Sequence, residues 1–138
     1  MMTWSKKLFI TLTSTLVTSA VVATPLTAPQ QTSVDQLLKS YQAQGASTPS
    51  ITAGAEFWQT KGDNGIACTA CHGQDLTQAG KHIKTKRAIE AMAPSVNPER
   101  LSDVGKVEKW FKRNCKSVWN RECTATEKAN VLAWLATQ

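Results

Sequence analysis

The sequence predicts an all-α fold on three observations: apolar residues recur at helical spacing, capping signals precede those stretches, and no segment shows convincing strand alternation. Ser33 with Gln36 reads as a capping box, followed by Val34, Leu37, Leu38 and Tyr41 on one stripe and stopped by Gly45. The preceding Thr24 to Thr32, which holds Pro25 and Pro29 and has no apolar period, reads as a tether. Ser50 is placed to cap a second helix over Ile51 to Thr60, which carries Gly54, Phe57 and Trp58, and Lys61 to Gly65 reads as a turn. Ala79 to Pro98 has no strong period and is expected to be loop, with one helical turn near Lys86 to Met92.

Asp103 caps a third helix. At roughly 100° per residue, Val104, Val107, Trp110 and Phe111 fall within about 80° of Asn114, so the five share a face, while Lys106, Lys109, Lys112, Arg113 and Lys116 project from the other side. Thr124 with Glu127 is a second capping box, and Val131, Trp134 and Leu135 form the apolar stripe of a last helix.

With 138 residues the chain can hold one compact domain, which excludes a large multidomain enzyme. A hydrophobic share of 41% with 19% charged residues excludes a wholly disordered or fibrous chain. Met1 to Lys7 end in two positive charges, Leu8 to Val22 is uncharged and mostly apolar, and small residues follow at Ala20 and Ala23. That is the pattern of a secretory signal peptide over residues 1–23, and Ala28 is a second possible cleavage point. The run is diluted by hydroxyl residues and is short for a membrane anchor, so export to a periplasm is expected, without stable membrane insertion after cleavage. Losing Lys6 and Lys7 lowers the net charge of +6 by two, to +4, a basic excess suited to an acidic protein partner. Nucleic acid is not expected, since no recognition motif accompanies the charge.

Cys68-Thr69-Ala70-Cys71-His72 is C-x-x-C-H in an exported chain. Two thiols three positions apart can add to the two vinyl groups of a haem, and the following histidine is placed to bind the iron, so one covalent haem c is the expected cofactor. A thioredoxin-like redox pair would call for a βαβ context, and zinc would need two further ligands, which Cys115 and Cys123 could supply only from other segments. In an oxidising compartment the economical reading of Cys115 and Cys123 is a disulfide, worth about 2–3 kcal/mol by loop entropy, with two free thiols as the alternative. On the far side of the iron the residues leave a choice. Met92 lies early for a sixth ligand and reads first as a core or haem-edge contact, and His82 sits in a basic loop with Lys81, Lys84, Lys86 and Arg87.

The stretches Gly80-Lys81-His82, Met92-Ala93-Pro94-Ser95-Val96-Asn97-Pro98, Lys109-Trp110-Phe111, Asn114-Cys115, Arg121-Glu122-Cys123-Thr124 and Ala133-Trp134-Leu135, with C-x-x-C-H before them, resemble the Sphaeroides haem protein family of high-spin class I cytochromes c. The resemblance covers roughly residues 50–136. It implies a class I cytochrome c fold over 50–138, leaving 24–49 as an N-terminal extension with a short helix and no counterpart. It also implies that Asn114 is the sixth ligand of ferric haem and swings off on reduction, that Cys115 pairs with Cys123, and that a dihaem cytochrome c is the electron donor. The helical face agrees, because Asn114 sits with Val107, Trp110 and Phe111, which with Met92 are expected to pack the haem pocket. An amide is a hard ligand that suits Fe(III) better than Fe(II), so reduction should open the position to dioxygen, nitric oxide or carbon monoxide.

Electron transfer with a redox-gated site for a diatomic gas is therefore the expected function. A terminal oxidase or nitric-oxide-detoxifying enzyme, and a plain Met92-ligated carrier, are the alternatives. Lys81, Lys84, Lys86, Lys109, Lys112 and Arg113 are the expected docking residues for an acidic redox partner.

Overall fold

The computed structural model describes residues 25–138, so the leader expected over 1–23 lies outside the described residues. Five helices and one short ribbon follow in order: α1 (Ala28–Ala43), α2 (Ile51–Gln59), α3 (Thr69–His72), β1 (Gly80–Lys81), β2 (Ala88–Ile89), α4 (Val104–Trp119) and α5 (Ala125–Leu135). None of these helices is long and apolar enough to cross a membrane.

Three capping expectations hold at the level of atoms. The Ser50 side chain accepts from Ala53 N, that of Asp103 from Lys106 N, and that of Thr124 from Glu127 N, while Glu127 accepts in return from Thr124 N at 2.8 Å. The first helix is a correction. It begins at Ala28 rather than Val34, with Pro29 in its first turn and Gln30 Oε1 accepting from Thr27 N at 2.8 Å. Thr27-x-x-Gln30 repeats the signature of Ser33-x-x-Gln36, and burial decides between them. Ser33 is only 4% exposed inside the helix, because that face packs on α5.

Residues 79–98 bring a second correction. Instead of a helical turn, Gly80 and Lys81 pair antiparallel with Ile89 and Ala88, closed by a loop in which Lys86 is left-handed (φ 61°). Strands of two residues are too short to carry a periodic signal.

The core joins Val34, Leu37 and Tyr41 of α1, Trp58 of α2, Leu76, Ala93 and Leu101 of the connecting segments, and Ala129, Val131, Leu132 and Leu135 of α5. α2 crosses α5 at Gly54, where the helix backbones meet. α1 packs across α5 and touches α4, so the segment preceding Ile51 contributes directly to the core.

Candidate functional site

The C-x-x-C-H segment forms the turn α3. His72 N and Cys71 N both donate to Cys68 O, and Gly73, at φ 75°, ends the turn at once. Cys68 and Cys71 are unbonded thiols, one helical turn apart. Burial pushes the Cys68 thiol up to about 11, so it is held neutral. His72 is half-buried with its ring centroid 5.2 Å from that of Trp58, and its Nδ1 is buried without a hydrogen-bond partner. Burial first, and then the charge of Arg100, push its imidazole down to about 4, so it is neutral and free to ligate at neutral pH.

The ribbon β1–β2 closes over α3. A Cβ at Gly80 would come within 2.9 Å of His72 Cα, which makes glycine the residue that lets the ribbon lie this close, and Ile83 N donates to Cys71 Sγ at 3.4 Å. Met92 N and Ala93 N both donate to Leu76 O at 2.9 Å, tying the Met92 segment to the chain just beyond His72. Met92 is half-buried against the core.

α4 brings the distal candidates. Val107 and Phe111 pack on the core, Phe111 edge-on to Tyr41 at 6.4 Å. Trp110 departs from the face predicted for it: it is 44% exposed at the flank of α4, with the Arg113 guanidinium 5.6 Å from its ring centroid. Asn114 is half-buried on the same flank, and its amide makes no hydrogen bond within the described residues.

The following residue, Cys115, is bonded to Cys123, with Cα atoms 5.5 Å apart. Asn120 in the left-handed region (φ 53°) turns the chain back toward that bridge. The carbonyl end of α4 is held from the other side. Asn64 N donates to Val118 O at 3.1 Å, Asn64 Nδ2 to Ser117 O at 2.7 Å, and Phe57 stacks on Trp119 at 4.8 Å. The helix that carries Asn114 is thereby clamped to the segment that leads into Cys68.

His82 is engaged within the ribbon loop through one ring nitrogen. Its Nδ1 accepts from Lys84 N (3.3 Å) and Thr85 N (3.1 Å), which organises the ribbon loop. Lys81, Lys84, Lys86 and Arg87 are exposed on that ribbon. Lys109, Lys112, Arg113 and Lys116, with Ser117, line an open groove of about 590 Å³ on the outer side of α4. Trp58, Gly80 and Arg100 are site residues that no local signal marks, because each acts through a partner distant in sequence.

The donor set fits haem c: two thiols one turn apart, followed by a neutral imidazole whose second nitrogen has no protein partner. It does not fit a zinc centre, since no three His, Cys, Asp or Glu among the described residues gather as metal ligands would.

Comparison with known proteins agrees. Residues 44–135 match the family described as a domain of unknown function, DUF1924. The cytochrome c-type protein SHP of Cereibacter sphaeroides is 43% identical over 131 residues, which takes in 92% of this chain and all of that protein. A structure of oxidised SHP, described as an oxygen-binding cytochrome c, superposes with a TM-score of 0.70 at 39% identity, covering 76% of this chain and 96% of that one. A solution structure of cytochrome c'' from Methylophilus methylotrophus, described as giving insights into haem-ligand detachment, has a TM-score of 0.65 at 35% identity, with 78% and 94% covered. The fold is that of a class I cytochrome c, the cofactor that such relatives imply is haem c, and by sequence and by structure this chain belongs to the DUF1924 family and to the Sphaeroides haem protein family of c-type cytochromes.

Proposed function

We propose that the chain is an exported, periplasmic cytochrome with one covalent haem c, which transfers electrons and binds a small diatomic ligand when reduced. The observation that carries this reading is α3: unbonded Cys68 and Cys71 followed by a neutral His72 with a buried, unpartnered Nδ1. When bound, haem supplies one-electron redox chemistry and a coordination position for a gas. Cys68 and Cys71 would hold it through thioether bonds. His72 would bind the iron proximally, its orientation fixed by Trp58 on one side and by the short turn ended at Gly73.

Asn114 would supply the sixth ligand in the ferric state. Its amide has no competing hydrogen bond within the described residues, so engaging or leaving the iron breaks no protein contact. As a hard donor it loses affinity on reduction, and a site opened this way accepts dioxygen, nitric oxide or carbon monoxide. The disulfide at Cys115 and the Asn64 bonds restrain the backbone beside Asn114, so that the side chain moves rather than the helix. The oxygen binding named for SHP and the ligand detachment named for cytochrome c'' support the same reading. Lys81, Lys84, Lys86, Lys109, Lys112 and Arg113 would attract an acidic redox partner, of which a dihaem cytochrome c is one, and speed encounter.

Optical spectra of the purified protein, ferric and ferrous, with and without carbon monoxide, test this. A high-spin ferrous spectrum that shifts with the gas is expected. A low-spin ferrous spectrum indifferent to the gas would overturn the gated site and leave a plain electron carrier.

A further inference from the structure

The ribbon β1–β2 brings surface charge up to the C-x-x-C-H segment. A side chain at Gly80 would strike Cys71 O and His72 Cα, and three residues further on Ile83 N donates to Cys71 Sγ at 3.4 Å. The turn is fixed from within. His82 N donates to Arg87 O and Lys86 N to His82 O, each at 2.9 Å, while His82 Nδ1 accepts from Lys84 N and Thr85 N. A turn held this way loses little entropy when a partner settles on it.

Between Gly80 and Ile89 stand four cations, Lys81, Lys84, Lys86 and Arg87, and no carboxylate. All four are exposed, and none makes an ion pair under 4 Å among the described residues. Among them Ile83 is 38% exposed. A single exposed isoleucine is ordinary. One tied by its own backbone to a haem-bonding sulfur and ringed by four unpaired cations is not: charge guides an approach, and an apolar centre that sheds its water holds the complex. The α4 groove lacks such a centre, since the exposed Trp110 beside it already has the Arg113 guanidinium over its ring. The α4 lysines attract from a distance, and the ribbon adds a seat.

We propose that Ile83, ringed by Lys81, Lys84, Lys86 and Arg87, is the point of contact for an acidic redox protein that presents an apolar patch within a rim of carboxylates. The proposal rests on the electron-transfer reading above. Contact here sets the partner beside the Cys71 sulfur. One electron passes inward: the partner is oxidised by one electron and the ferric haem becomes ferrous, with no bond formed or broken.

Reduced flavodoxin, an acidic one-electron carrier, serves as the probe for the holoprotein. Ile83→Ala is expected to bind oxidised flavodoxin about five-fold more weakly by calorimetry. Its second-order rate of reduction by reduced flavodoxin is expected to fall about five-fold at low and at high salt alike, because an apolar contact is not screened. Lys84→Ala is expected to slow the reaction at low salt only. Reduction by the small uncharged hydroquinone, and the reduction potential, should match wild type in both variants. Ile51→Ala, which removes another exposed isoleucine from α2, should behave as wild type throughout.

Ile83→Ala with wild-type affinity and rate, or a loss shared by Ile51→Ala or by the hydroquinone reaction, would overturn the proposal. So would binding to vesicles of anionic phospholipid that depends on Ile83 while the flavodoxin kinetics do not, which would make the ribbon a lipid face. A haem-loaded wild type that flavodoxin does not reduce sinks the electron-transfer reading as well, whereas a wild type reduced normally and an unchanged Ile83→Ala sink this one alone.

Discussion

Gly54 of α2 meets Asn130 of α5 backbone to backbone: a Cβ on Gly54 would lie 2.6 Å from the Asn130 carbonyl carbon and 2.8 Å from Trp134 Cβ. The crossing is reinforced by Ser50 N donating to Asn130 Oδ1 at 2.8 Å. Alanine in place of a mid-helix glycine gains about 1 kcal/mol of helix propensity, but here it must push two helices apart. We expect Gly54→Ala to destabilise the protein by about 2 kcal/mol, read as a lower urea midpoint. An unchanged or raised midpoint would show that the crossing is loose.

Asn114→Ala separates the ligand from its surroundings. Because the amide makes no hydrogen bond within the described residues, unfolding free energy should change by less than about 0.5 kcal/mol. The ferric absorption spectrum should change while the ferrous spectrum with carbon monoxide does not. A ferric spectrum identical to wild type would remove Asn114 from the iron.

The bridge between Cys115 and Cys123 closes a short loop, with a sequence separation of 8. Chain entropy assigns such a loop about 2.5 kcal/mol, and both sulfurs are buried, so Cys115→Ala with Cys123→Ala should cost about that much. If the bridge also restrains Asn114, the double variant will show a mixed ferric spectrum. Loss of stability with an unaltered spectrum would confine the disulfide to a structural role.

Glu127 closes the cap of α5 and also receives Arg121, at 2.8 and 2.7 Å. The hydrogen bonds from Arg121 come first, and with those from Thr124 they hold the Glu127 carboxyl below its ordinary 4.5. A lowered carboxyl contributes stability that is full above the unfolded value and is lost as pH falls through the folded one. Glu127→Gln should therefore lie below wild type by a constant amount from pH 7 to about 5, and the two should converge below 4.5. Thr124→Ala should cost about 1 kcal/mol near neutral pH. Urea melts across this range check both, and a gap that widens on acidification would reverse the sign.

Lys109 and Lys116 line the groove on α4 and make no ion pair under 4 Å among the described residues. Replacing both by glutamate should slow electron transfer with an acidic redox protein about ten-fold at low salt, with the difference shrinking as salt screens it. Stopped-flow rates that are unchanged at low salt would move the docking face elsewhere, with the ribbon lysines next in line.

Helix caps were legible in the chain because a cap is a contact between residues three apart. Ser50, Asp103 and Thr124 with Glu127 therefore mark α2, α4 and α5 with little reference to the rest of the molecule. C-x-x-C-H was legible for the same reason, its five residues being consecutive. Where two local signals compete, as Thr27-x-x-Gln30 and Ser33-x-x-Gln36 do, spacing cannot rank them. The start of α1 was decided by packing on α5 and by Gln30 reaching carbonyls some 64 to 70 positions away. The flank position of Trp110, the ribbon seated on His72 through Gly80, and the unpaired charge of Arg100 were equally out of reach of the sequence. Each depends on which distant backbone comes to lie beside it, and only the closing of the core brings those segments together.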